Sequence, residues 1–104
     1  MPIYELAISE KGAVDLLKDG ATLHVESHQD AAFDGGGGIR GLWTMRITTS
    51  EGHKFVVRKT NVDEIKQYKS TLAIGSIFHA AGFDHATIPL KVGAVADVKL
   101  DQGG

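Results

Sequence analysis

Cysteine is absent from this chain of 104 residues. That excludes a disulfide framework, thiolate-bound zinc and a thiol nucleophile. No apolar run approaches the ~20 residues that a membrane-spanning helix requires. The first residues lack the pattern of a secretory signal, so the expectation is a cytoplasmic protein without membrane contact. No repeat period is visible, and no serine sits in a Gly-x-Ser-x-Gly elbow. What is present is ordinary for a globular protein: 42% hydrophobic and 23% charged residues, too apolar for general disorder. The length suits a single domain, residues 1–104, with one core that needs no covalent staple. The tail, residues 101–104, is expected to fray.

The net charge of −2 conceals an uneven distribution. Seven acids against Lys11 and Lys18 leave residues 1–38 at −5. Arg40, Arg46, Lys54, Arg58, Lys59, Lys66 and Lys69 against three acids leave residues 39–69 at +4. A basic middle between acidic flanks is either a footprint for an acidic partner or two faces of one domain that neutralise each other.

Along the chain, Pro2, Tyr4, Leu6 and Ile8 share one parity and suggest a short edge strand. Ser9 reads as the N-cap of a short helix with the apolar stripe Ala13, Val14, Leu16 and Leu17, closed by Asp19-Gly20. Thr22 to His28 alternates, Leu23 and Val25 on one side and Thr22, His24, Glu26 and His28 on the other, the period of a half-buried strand. The connection 29–41 carries Gly35, Gly36, Gly37 and Gly38 and reads as a flexible loop, because each glycine keeps backbone freedom that ordering must remove.

Leu42–Thr49 and His53–Thr60 flank Ser50-Glu51-Gly52 as a hairpin with a three-residue loop. That register pairs Ile47 with Phe55, Met45 with Val57 and Trp43 with Lys59 on an apolar face. On the other face it pairs Thr48 with Lys54, Arg46 with Val56 and Thr44 with Arg58. Asn61 and Glu64 form a capping box that opens a long helix over residues 62–82, whose stripe changes phase near Ser70-Thr71. Gly82 and Phe83 fit a Schellman close on Phe78. Ala86–Val92 and Ala94–Leu100 read as two last strands around Gly93. The expected class is α+β: a mostly antiparallel sheet of four to six strands, one long helix packed across it and a short N-terminal helix.

His24, Glu26 and His28 are ligand types for a divalent ion. Alternate strand positions lie roughly 6.5–7 Å apart, too wide for one strand to close a shell, unless His79, Asp84 and His85 approach. They are weak candidates, and the expectation is no metal and no cofactor. The run Asp34–Gly41 is no phosphate loop, since a strand follows the glycines and no Lys-Ser/Thr pair is present. Nothing in the sequence pins a histidine and a carboxylate to a nucleophile, so catalysis is not expected.

The outer hairpin face remains, with Arg40, Arg46, Lys54, Arg58 and Lys59 among threonines, side chains that pair with carboxylates or phosphates. The resulting expectation is a small non-catalytic regulatory or interaction protein, binding another macromolecule, a protein, through this face and the glycine-rich loop. Nucleic-acid binding by the same face is the alternative. A divalent-metal-dependent activity ranks third. An exposed edge strand also offers a route to a homo-oligomer.

Overall fold

The computed structural model describes residues 6–33, 38–60, 62 and 64–100. Within them the chain is α+β, a mixed sheet of six strands with two helices. In chain order these are β1 (Ala7–Ile8), α1 (Glu10–Lys18), β2 (Thr22–Phe33), β3 (Ile39–Thr48), β4 (Lys54–Val57), β5 (Tyr68–Ser70), α2 (Thr71–Ala81) and β6 (Val95–Lys99). The strands lie in the order β1-β4-β3-β2-β6, and β5 also pairs with β3. β1 runs parallel to β4, and every other pair is antiparallel.

Local signals set the small helix and the tight turn. Ser9 Oγ accepts the Gly12 N–H at 3.1 Å, satisfying one orphan donor of α1. Asp15 and Asp19 oppose the dipole at the other end, so α1 depends on its buried Ala13 and Leu17. Between β3 and β4, Thr49 N–H bonds the His53 carbonyl at 2.8 Å, and Gly52 adopts φ 91, the left-handed geometry that a three-residue loop requires. Ile47 faces Phe55, Arg46 faces Val56 and Thr48 faces Lys54, as the alternation demands.

The hairpin ladder then stops sooner than the sequence suggests. Val57 turns its carbonyl to the Lys66 N–H, and Lys59 N–H bonds the Glu64 carbonyl, each at 2.9 Å. β5 takes over beside β3, with Tyr68 opposite Trp43. The expected pairs of Met45 with Val57, Trp43 with Lys59 and Thr44 with Arg58 are therefore replaced, and Arg58 bridges to Ile65 instead. This departure also removes the first half of the expected long helix. Residues 64–66 fold back along 57–59, and Tyr68–Ser70 is strand. Ser70 is the true N-cap, its Oγ accepting the Ala73 N–H at 3.3 Å, so the phase change at Ser70-Thr71 marks a helix start. Asn61, the other half of the expected capping box, lies outside the described residues. The C-terminal close is as expected: Gly82 has φ 93, Phe83 N–H reaches the Phe78 carbonyl at 3.0 Å, and the two rings meet edge to face at 5.2 Å.

Two further expectations change. The connection 29–41 is shorter than it reads, because Gln29–Phe33 continues β2 and Ile39–Gly41 opens β3. Register shifts between Ser27 and Gln29 and between Gln29 and Ala32 break the strict alternation that marks a strand in sequence. Gly35, Gly36 and Gly37, like the tail 101–104, lie outside the described residues; Gly38 is exposed. Ala86–Val92 is not a strand of the sheet. It crosses the end of β2, where Ala31 N–H bonds the Leu90 carbonyl at 2.8 Å and Trp43 Nε1 donates to the Pro89 carbonyl at 2.7 Å.

Both helices cover the same side of the sheet. Leu23, Val25, Trp43, Met45 and Ile47 point into one cluster with Leu17 of α1 and Ile74, Ile77 and Phe78 of α2. Gly41 is the close approach that admits Trp43, since a Cβ there would sit 2.6 Å from the indole. No helix of the described residues is long and apolar enough to cross a membrane.

Candidate functional site

The other side of the sheet carries the polar half of each alternation. From β2 come Thr22, His24, Glu26 and His28; from β3, Thr44, Arg46 and Thr48; from β4, Lys54 and Val56; from β6, Val95, Asp97 and Lys99. Three successive β2 side chains reach across to β3 on the same diagonal. His24 Nε2 meets Thr48 Oγ1 at 2.7 Å, Arg46 meets Glu26 Oε1 at 3.5 Å, and His28 Nε2 meets Thr44 Oγ1 at 2.7 Å. The first two pairs each join a residue to the one two places beyond its direct cross-strand neighbour, within reach of long side chains, and His28 stands at the register shift. On its other edge His24 Nδ1 lies 2.6 Å from Asp97 Oδ1 of β6.

A carboxylate only accepts, so the Nδ1 contact is a ring N–H donating to Asp97 Oδ1, while the Thr48 hydroxyl, which both donates and accepts, partners Nε2. Both ring nitrogens are thereby occupied. His28 Nε2 is likewise engaged, with Glu26 Oε2 4.0 Å from its Nδ1. Among the described residues no group of three histidine, aspartate or glutamate side chains is arranged to hold a metal ion. His24, Glu26 and His28 are bound to threonine and arginine neighbours instead of converging on one point.

Asp97, His24 and Thr48 stand in the order carboxylate, imidazole, hydroxyl, the line that activates a hydroxyl nucleophile in acyl-transfer enzymes. Asp97's side chain is 63% exposed and the line lies on the helix-free side of the sheet. The three side chains tie β6, β2 and β3 together. Sequence reading singled out His24 and put Thr44 and Thr48 on the outer hairpin face, but missed Asp97. The alternation of Val95, Asp97 and Lys99 was the available signal, useful only once β6 is known to lie beside β2.

The five cations named from the sequence lie on β3, on β4 and on residues 58–59 just beyond it. Arg46 sits mid-face, its side chain 36% exposed and paired with Glu26. Lys54 is exposed on β4 opposite Thr48. Arg40 is exposed near the start of β3, opposite Ser70. Arg58 is half-buried and donates to the Lys59 carbonyl at 3.1 Å. Lys59 pairs with Glu64 at 2.9 Å, and its ammonium holds the Glu64 carboxyl below the usual range. The acidic first third of the chain neutralises part of the basic middle: Glu26 takes Arg46, and Glu10 of α1 takes Lys66. Behind that second pair Tyr68 is buried, which pushes its phenol well above the ordinary tyrosine value, with the Glu10 carboxylate adding to the shift.

No protein-family model, curated protein or solved structure matches this chain.

Proposed function

We propose that the protein is a small non-catalytic binding protein that docks on another macromolecule through the helix-free face of its sheet. The partner is a protein with carboxylates set opposite Arg46 and Lys54, and the setting is cytoplasmic. The observation that carries this reading is the interleaving of charge on that face, where Arg46, Lys54 and Lys99 alternate with Glu26 and Asp97. A nucleic-acid backbone presents one sign of charge and would have to lie over both carboxylates. A protein surface can match both signs.

The test is capture from host extract with the protein and its Arg46→Glu/Lys54→Glu variant side by side, followed by direct titration of the captured protein. A partner held by the parent chain and released by the variant, with a salt-sensitive association rate, supports the reading. Labelled DNA and RNA are titrated in parallel at about 50 and 200 mM salt. Tight nucleic-acid binding that collapses at the higher salt would replace the protein partner with the alternative.

A further inference from the structure

β6 is an outer strand of the sheet path, and among the described residues it pairs with β2 alone. Its phase is set by the turn before it. Gly93, at φ 85, sends its N–H to the Ser27 carbonyl, and Ser27 N–H returns to the Ala94 carbonyl at 3.0 Å. That two-against-one contact, with a left-handed glycine first, is a bulge that fixes which residues face β2. The Ala94 carbonyl and the backbone groups of Ala96 and Val98 are directed toward β2, while the Ala94 N–H closes the turn on the Lys91 carbonyl. Val95, Asp97 and Lys99 direct theirs away, as a row of donors and acceptors unpaired among the described residues. A cleft lined by residues 82–85, 87 and 97–100 lies beside the C-terminal half of this strand.

We propose that this edge pairs with the β6 edge of a second copy of the chain, antiparallel about a two-fold axis at Val98. The charge pattern chooses the occupant and the register. Centred on Val98, the pairing sets Asp97 opposite Lys99 of the second copy, and Lys99 opposite its Asp97, on the helix-free face. Centred on Asp97, it would oppose two carboxylates; centred on Lys99, two ammonium groups. Like charges directly opposite each other are destabilising, unlike ones favourable. The side chains are free for this: Asp97 uses Oδ1 on His24 and leaves Oδ2, while Lys99 has no ion-pair partner among the described residues. The outward backbone groups of Asp97 and Lys99 then form two hydrogen-bonded pairs with their counterparts. Val98 meets Val98 of the second copy between them, in the closer, non-hydrogen-bonded position. This pairing uses the backbone edge of β6 and shares Asp97 and Lys99 with the face-docking reading above; the Arg46→Glu/Lys54→Glu variant leaves both residues in place, so the two readings fail separately.

Mass in solution, by light scattering and sedimentation equilibrium on the full chain, tests it. The parent protein is expected at twice the chain mass. Lys99→Asp sets Asp against Asp at both ends of the pairing and should raise the dissociation constant about tenfold or more. Asp97→Lys/Lys99→Asp restores unlike pairs and should restore the dimer. Lys99→Pro removes an outward donor without touching the β2 ladder, so it should give a folded monomer, folding being followed by circular dichroism. Val98→Cys, in a chain with no other cysteine, should oxidise to a disulfide-linked dimer, the ~4.5 Å Cα spacing of such a pair being within disulfide reach, while Ala96→Cys should not. A monomeric parent overturns the proposal, even if the edge takes up a foreign extended peptide. So does a dimer unmoved by Lys99→Asp and Lys99→Pro, or a folded double swap that stays monomeric.

Discussion

On the helix-covered side of the sheet Leu23, Val25, Trp43, Met45 and Ile47 lose all contact with water, whereas His24, Glu26 and Arg46 on the reverse side keep about a third of their side-chain surface exposed. The same two strands supply both sets, residue by residue. On the covered side the energy comes from area removed from water and from close packing, so one large side chain matters greatly. On the open side it comes from hydrogen bonds and ion pairs that compete with water, so each contact is modest and several must act together. The covered side holds the fold; the open side sets strand alignment and offers a surface.

The sharpest test of that contrast is Trp43→Ala, which removes the indole packed over Gly41 and its bond to Pro89. It should cost about 3–5 kcal/mol in denaturant unfolding, enough to leave much of the population unfolded if the fold is of ordinary stability. On the open side, His24→Ala removes two hydrogen bonds of a half-buried ring. About 1–2 kcal/mol is expected from the same measurement, and a loss as large as that of Trp43 would erase the contrast between the faces.

Tyr68→Phe probes a polar misfit on the covered side, since its buried hydroxyl has no well-aligned partner among the described residues. Stability at neutral pH should change by less than about 1 kcal/mol, with a gain the expected sign. The parent should lose stability above pH ~10, because the unfolded phenol ionises there while the folded one stays protonated. That loss, up to about 1.4 kcal/mol per pH unit, should be missing from the Phe variant in an alkaline unfolding series. The smallest effect belongs to Glu26→Gln, where a partly exposed ion pair should contribute roughly 0.2–1 kcal/mol, shrinking further in high salt.

Legibility in the sequence follows the range of the interaction. Ser9, Gly52 and Gly82 act on backbone groups within five residues, and each turn or cap stands where its residue pattern places it. The register of Ile47 with Phe55 was equally readable, because a one-residue slip would have mixed the faces. The stretch from Val57 to Ser70 failed for the opposite reason. Val62, Ile65 and Tyr68 have helical spacing, but β3 offered Tyr68 a vacant ladder once β4 turned away at Val57, and a sheet contact outweighed local periodicity. The second half of β2 was hidden by its bulges, which scramble the parity that sequence reading counts.

The candidate site divides in the same way. That His24, Glu26 and His28 share one face, with Arg46 and Lys54 on the matching side of the hairpin, is a property of alternation and was fixed by order along the chain. That His24 meets Asp97 required β6 to lie beside β2, and that His24 meets Thr48 and Glu26 meets Arg46 required β3 on its other side. Strand order is an outcome of burying the whole apolar face under two helices, a global free-energy balance that no local pattern encodes.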